Sequence, residues 1–478
     1  MIQFIEVLDR AYTGPVCEIK EWDMNIISKG VREKLKEYGL EGTCDPQNPI
    51  NTDDGLADKF WKAGFDLAVD TGMLCMTTKR IIKFTDDELR ECLTNNPSEI
   101  YRGRDLDRSV ISNRKPDDKK VLFKLIGPFG HPVSEDLYIP ITQSAIQYRI
   151  IDAVMPPSLE TVYGRPLKSR TPYETLAGKL EVILQREAAR RAQRPGIPIR
   201  GGATSPTEYG NFGGYGVPGG ADPETDINVV LTPAELKTDF TLLHKVAHFL
   251  NCGSYSHSGY PSMIGGFPGP PEGAAITSIA GAVLQVPVHQ AKTLEASIFD
   301  IRYSGNCGRD AVWSNSIVYQ AVSRNTHLLL TGMINPVAGP CTDMLLHEGA
   351  VQAINCAVSG CAIALGVRSG GGRIRDYVTG LESKFTAEVC KSACALNRAD
   401  GNEIVKKLIP KYEGQLKSPP KGKSFSECFD LKTLRPTKEW LGIYEKVWKE
   451  LEDLGLFRNF HETFKHQPLI DDEFGCKN

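Results

Sequence analysis

The chain has 478 residues, 41% hydrophobic and 24% charged, the balance of a water-soluble globular protein with room for one large domain or two to three ordinary ones. A formal net charge of −3 and a pI near 6.3 exclude an electrostatic nucleic-acid binder. No apolar run approaches the roughly 20 residues needed to span a bilayer, and the opening MIQFIEVLDRAYTG has no basic n-region, so the cytoplasm is the expected compartment.

Residues 1 to 115 read as an N-terminal helical cap with a small β insertion, packed on the larger domain that begins near residue 116. Asp58–Asp70 has helical spacing of Phe60, Phe65 and Leu67, Arg80–Phe84 is strand-like, and Thr85–Glu88 caps another helix. The highly charged run from Arg102 to Lys120 reads as a surface excursion.

From 116 to 400 the pattern changes. Val121–Ile126 is a compact apolar strand, and a helical segment is expected around Ser144–Val154. A clear amphipathic helix covers Tyr173–Gln193, with Leu176, Leu180, Ile183 and Leu184 on one face. The short strand Ile197–Ile199 delivers Arg200 into a loop, Pro195–Asp222, holding eight glycines between Gly201 and Gly220, which reads as a loop able to approach a ligand closely. Thr232–Glu235 reads as a capping box opening a helix through Leu250, followed by a short strand Ser254–His257 and a loop Gly259–Gly273. Strands at Ala296–Tyr303, Thr326–Leu330 and Cys361–Val367 then alternate with helices at Glu272–Val286, from Arg309, at Asp343–Val358 and at Glu382–Leu396. Residues 401 to 478 add helices near Asn402–Tyr412 and Thr437–Leu454, and a polar tail from Asn459.

Strand, loop and helix alternating about eight times imply a parallel sheet, because each helix must return the chain to the same end. The number of units fits an α/β fold of the (β/α)8 TIM-barrel type, with N-terminal helical and β additions and C-terminal helices. An open doubly wound sheet is the alternative, and the GxGxxG expected after its first strand is missing. In a barrel, the loops beginning at Arg200, Ser258, Tyr303, Gly332 and Arg368 gather at one mouth, an arrangement that favours an enzyme.

The thirteen cysteines form no CxxC pair and read as buried thiols of a reducing compartment. Cys390 and Cys394, and likewise His244 and His248, share helical faces, but ordinary packing explains them as well as zinc does. No metal site is expected.

The segments RPGIPIRGGATS, DLYIPI, TPYETLA, NPVAGPCTDMLLHEGAVQAI and KGKSFSECFDLKTLRPTKEWLGIYEKVWKELEDLGL resemble the monomethylamine methyltransferases of methylotrophic methanogens, from about Asp23 to Leu456. The resemblance implies a (β/α)8 barrel, a homo-oligomer, and methyl transfer to the cobalt of a separate corrinoid protein, with no corrinoid bound by the chain itself. It also implies a departure. Where the family carries pyrrolysine this sequence has Arg200, and the family's acidic and amide pocket positions fall near Val229, Gly259 and Met333. Arginine has no imine to take up an amine and is a permanent cation. Monomethylamine is therefore not the expected donor. Arg200 becomes the candidate catalytic residue, holding the carboxylate of an N-methylated, even quaternary, small molecule whose cationic end sits in an aromatic cage.

Tyr209, Phe212, Tyr215, Tyr255, Tyr260 and Phe267 are the candidates for that cage. Tyr209, Tyr215, Asn228, His257, Tyr260, Arg302, Met333 and Asn335 are the candidate substrate-binding groups. Arg302 and Arg368 also end strands and are alternative anion binders, and Arg200 has the structural alternative of pairing with Glu208, Asp222 or Glu224. Two other functions stay open: a non-catalytic paralogue, and a zinc-dependent transfer using Cys341 or His257.

Overall fold

The computed structural model describes residues 2–127, 130–202 and 204–457; the tail expected from Asn459 lies outside the described residues. Seven parallel strands form the central sheet: β1 (Phe123–Ile126), β2 (Ala153–Val154), β3 (Val230–Leu231), β4 (Ser256–Ile264), β5 (Ala291–Asp300), β6 (Leu329–Met333) and β7 (Ile363–Leu365), in the order β3-β4-β5-β6-β7-β1-β2. The gap between β2 and β3 is closed by Pro198–Arg200. Val154 N donates to Pro198 O at 2.9 Å, Ile227 N donates to Ile199 O at 2.8 Å, and Arg200 bridges Ile227 in parallel. The sheet is thus a closed barrel whose eighth stave carries Arg200.

Side chains alternate across each stave. His257, Gly259, Pro261 and Met263 of β4 point inward, register against Thr293, Glu295, Ser297 and Phe299 of β5, and leave Tyr260 to pack outward. The surrounding helices include α1 (Glu135–Ile146), α2 (Pro172–Arg191), α3 (Tyr209–Gly214), α4 (Phe240–Asn251), α5 (Pro271–Val288), α6 (Arg309–Asn325), α7 (Asp343–Val358) and α8 (Gly380–Ala393). Their starts are set by capping side chains: Thr342 Oγ1 accepts from Leu345 N at 3.2 Å, and Thr379 forms a reciprocal box with Glu382.

Five local expectations differ from the structure. The helix expected at Ser144–Val154 ends at Ile146, and Ala153–Val154 is instead the stave β2. The Thr232 capping box opens no helix; Glu235 and Leu236 take left-handed φ values of 69° and 53°, and Lys237–Thr238 pairs with Met73–Cys75, so α4 starts only after Asp239, whose side chain accepts from Leu242 N at 2.9 Å. The loop expected from Gly259 is strand as far as Ile264. Because β3 pairs only with Ser258 and Gly259, β4 is an edge on that side beyond Gly259, and Pro261 costs no ladder bond there.

The charged run after Arg102 is no simple excursion. Glu99–Arg102 and Ser109–Ser112 form a hairpin whose Ile100 and Ile111 meet Phe123, Ile227 and Ile363 at the N-terminal end of the barrel. Arg114 is buried and donates to the carbonyls of Ala357 and Cys361 at 2.8 and 2.9 Å. Finally, the glycine loop spends several of its glycines on packing. Gly213 and Gly214 of α3 lie so close to the carbonyls of Thr175 and Gly178 on α2 that any Cβ would overlap them.

Candidate active site

A cavity of about 340 Å³ opens at the C-terminal ends of the strands, where the βα loops converge. Its walls are apolar for the most part: Leu231 of β3, Pro261 and Met263 of β4, Phe299 of β5 and Met333 of β6. Three charged side chains enter it, Arg200, Glu295 and Arg368, together with Asn335, Thr232 and Ser304.

Arg200 is held by its backbone. Gln185 of α2 donates from Nε2 to Arg200 O at 2.7 Å, and its Oε1 accepts from Arg200 N at 3.2 Å. The side chain is only 4% exposed. Its Nη1 donates to the thioether sulfur of Met155 at 3.0 Å, a weak acceptor, and its Nε has no hydrogen-bond partner among the described residues. Burial pulls the guanidinium down to about 10, against the opposing pull of Glu181 and Glu295. It remains a cation at neutral pH. Glu208, Asp222 and Glu224 are not its partners: Glu208 faces His244 at 3.5 Å, and Asp222 accepts from Glu224 N at 2.9 Å. A buried cation met chiefly by a sulfur atom is a poor structural ion pair and a ready anion receptor.

Arg368 follows β7 and is also largely buried, which lowers its pKa, while Glu295 acts in the opposite direction. Gly370, Gly371 and Gly372 behind it take φ values of 57°, 62° and 68°, and a Cβ at Gly372 would overlap the guanidinium. The turn therefore needs glycine to let the arginine reach the cavity.

Glu295 stands beside Gly259 in the β4–β5 ladder and is 2% exposed. A Cβ on Gly259 would lie 3.1 Å from Glu295 Oε2 and 2.7 Å from Leu231 Cδ2, so glycine at 259 makes room for this carboxylate. Burial pushes the Glu295 carboxyl up to about 7, although Ser297, Arg200 and Arg368 all favour its ionised form. Oε2 has no hydrogen-bond partner among the described residues. The expectation of a cavity without acid is thus corrected: of the three positions considered for one, Gly259 and Met333 line the cavity and Val229 does not, but Glu295 on the neighbouring stave supplies a carboxylate. The sequence pattern conceals it by suggesting a strand start at Ala296, whereas β5 begins at Ala291 and its alternation turns residue 295 inward.

Among the sequence candidates, Arg200, Met333 and Asn335 meet in the cavity, with Arg368. Asn335 Nδ2 donates to Ser304 O at 3.1 Å, and Met333 N donates to Ser297 Oγ at 3.1 Å. The others lie elsewhere. Tyr209 is half exposed on α3, edge-on to Phe212. Tyr215 is buried against Phe249 and shares hydrogen bonds with Ser254 and Asn228. Tyr260 points outward against Gly281 of α5, and its hydroxyl accepts from Glu235 N at 3.2 Å. Tyr255 stacks under Arg102 at the barrel floor, and Phe267 lies near Lys237. The expected aromatic cage is therefore not assembled, because strand alternation and α3 packing turn these rings away; Phe299 is the one aromatic lining residue described.

Asn228 and His257 sit deeper, toward the hairpin plug; His257 Nδ1 bonds Thr293 Oγ1 at 2.8 Å, and burial followed by the Arg200 charge brings its pKa down to about 3. Arg302 is 52% exposed and engages Asp300 and Asp310 outside the cavity. Cys341, considered with His257 as an alternative zinc ligand, packs with Cys428 near the C-terminal segment, and neither of the two lines the cavity.

Comparison with known proteins agrees with this architecture. The family model for monomethylamine methyltransferase MtmB matches residues 2–456. Monomethylamine methyltransferase MtmB3 of Methanosarcina barkeri is 32% identical over 94% of this chain and 97% of its own length, and the Methanosarcina mazei MtmB is 31% identical over the same shares. The crystal structure of the M. barkeri enzyme, and a hydroxylamine complex of MtmB, each superpose with a TM-score of 0.91 at 30% identity, covering 95% of this chain and 98% of the other. A match across nearly the whole chain, in sequence and in barrel geometry, places the protein in the monomethylamine methyltransferase MtmB family.

Proposed function

We propose that the chain moves a methyl group from an N-methylated, carboxylate-bearing small molecule to the Co(I) of a separate corrinoid protein, and that monomethylamine is not its donor. The observation that carries this reading is Arg200, a buried cation at the cavity wall whose Nε has no hydrogen-bond partner among the described residues and whose Nη1 has only a thioether acceptor. A donor carboxylate would give it a charge-assisted partner, and Arg368 across the cavity adds a second positive group. Monomethylamine carries no carboxylate and would leave Arg200 without that partner.

The corrinoid would supply the Co(I) nucleophile. The cavity suits its approach, because it opens at the strand ends beside exposed Leu231. The chain's own part is to bind and aim: the arginines fix the carboxylate, the apolar walls exclude water, and the N-methyl end is left toward the opening. A cytoplasmic homo-oligomer that uses no pyrrolysine completes the reading.

The test is a panel of methyl donors with reduced corrinoid protein, read as methyl–cobalt absorbance. Signal is expected for carboxylated N-methyl donors and not for monomethylamine, and Arg200→Ala should reduce kcat/KM for those donors by about 10²-fold or more, the loss of a charged hydrogen-bonding pair. Turnover of monomethylamine, or of uncharged donors only, would refute the reading. A stable corrinoid complex that no donor ever methylates would favour the non-catalytic alternative.

A further inference from the structure

The cavity separates two kinds of cationic nitrogen. A quaternary ammonium offers no hydrogen and is recognised by the faces of several aromatic rings. A protonated secondary or tertiary amine offers charge and an N–H together, and requires an acceptor. The described lining holds one aromatic ring, Phe299, while the six rings at Tyr209, Phe212, Tyr215, Tyr255, Tyr260 and Phe267 lie elsewhere. It does hold a carboxylate. Glu295 is almost fully buried, Oε2 has no hydrogen-bond partner among the described residues, and Pro261, Met263 and Phe299 form apolar walls on the adjoining staves.

We propose that Glu295 accepts a hydrogen bond from the N–H of the donor's methylammonium group, so that the site takes secondary or tertiary N-methylated amino-acid-like carboxylates in preference to quaternary ones. This rests on the carboxylate reading given to Arg200. A buried carboxylate oxygen left without a hydrogen bond, as Oε2 is among the described residues, is costly, and an N–H cation removes that cost while a quaternary group supplies charge only. The groups facing Glu295 are Arg200 from the closing stave, Arg368 after β7, Ser297 on its own strand and the Tyr319 hydroxyl of α6. Burial leaves Glu295 partly protonated near neutral pH, so arrival of an ammonium ion should ionise it and release a proton. The demethylated product keeps its N–H and leaves as the amine.

Calorimetric titration of the full chain with N,N-dimethylglycine, its trimethylated counterpart and tert-butylacetate, a carboxylate without nitrogen, tests this. Wild type should bind the dimethylated compound about ten- to a hundredfold more tightly than the trimethylated one, the worth of a hydrogen bond to a charged group. Titrations near pH 7 in two buffers of different ionisation enthalpy should show proton release with the dimethylated compound. Glu295→Leu, which has no side-chain acceptor and is checked for folding by thermal unfolding, should abolish the preference. Equal or tighter binding of the trimethylated compound to wild type overturns the proposal, as does a preference that survives in Glu295→Leu. The wild-type comparison stands even if the variant fails to fold. Arg200→Ala separates the two ideas: if all three ligands bind the variant as they bind wild type, the carboxylate reading fails and this inference with it, whereas Arg200-dependent binding with no N–H preference defeats the Glu295 role alone.

Discussion

Glu295 carries a consequence for stability as well as for binding. Its folded pKa of about 7 stands above the 4.5 of an unperturbed glutamate, so the folded chain holds a proton that the unfolded chain gives up between those values. Stability from this group is therefore full below pH 4.5 and is lost as pH rises through 7. At 1.36 kcal/mol per pKa unit the swing is about 3 kcal/mol. Glu235, Glu348 and Glu382 are raised by burial too, but they are present in wild type and variant alike. Chemical unfolding of wild type and Glu295→Gln at pH 5 and pH 8 should show the variant gaining up to about 3 kcal/mol relative to wild type at the higher pH. A difference independent of pH would mean that Glu295 does not titrate in this range.

At the scale of elements, two segments quoted for the family resemblance meet in space. The loop after β6 is crossed by the C-terminal stretch Pro420–Lys423: Gly339 N donates to Pro420 O at 3.0 Å, and Lys423 N donates to Pro340 O at 2.9 Å. From below, the buried Glu348 of α7 accepts from Val337 N and Ala338 N at 3.0 and 2.9 Å. This brace fixes the loop that follows Met333 and Asn335. A Cβ at Gly339 would overlap Lys421 O, so Gly339→Ala should cost about 1–3 kcal/mol of unfolding free energy and raise KM, measured by denaturant titration and steady-state kinetics. Unchanged values for both would show that the brace does not set the site.

The legibility of the sequence divides along the same lines. Helices with long apolar stripes and clear caps, such as Asp343–Val358, have the expected bounds, because their periodicity and capping are local. The staves are short, inward and outward faces are both buried, and register decides which residues face the cavity. A strand start displaced from Ala291 to Ala296 was enough to hide Glu295, and glycine and proline in β4 gave a barrel stave the look of a loop. Arg200 was legible because it ends an apolar strand. The tyrosines misled because side-chain chemistry says nothing of which face a ring takes.

Across the whole molecule, the barrel works from two ends. Its N-terminal end is stoppered by the Glu99–Ser112 hairpin and its C-terminal end keeps the cavity. Ile111→Ala removes buried contacts in the stopper and should destabilise the fold by about 2–4 kcal/mol while leaving ligand affinity within about twofold, since no residue of the hairpin lines the cavity. A large loss of affinity with little loss of stability would link the two ends in a way this architecture does not. At the other end, we propose, the cavity is a receptor for a carboxylated N-methyl donor anchored by Arg200. A crystal structure with N,N-dimethylglycine tests it most directly: the account predicts the carboxylate about 3 Å from the Arg200 guanidinium with the nitrogen turned toward Glu295, and a ligand bound with its carboxylate away from both arginines would contradict it.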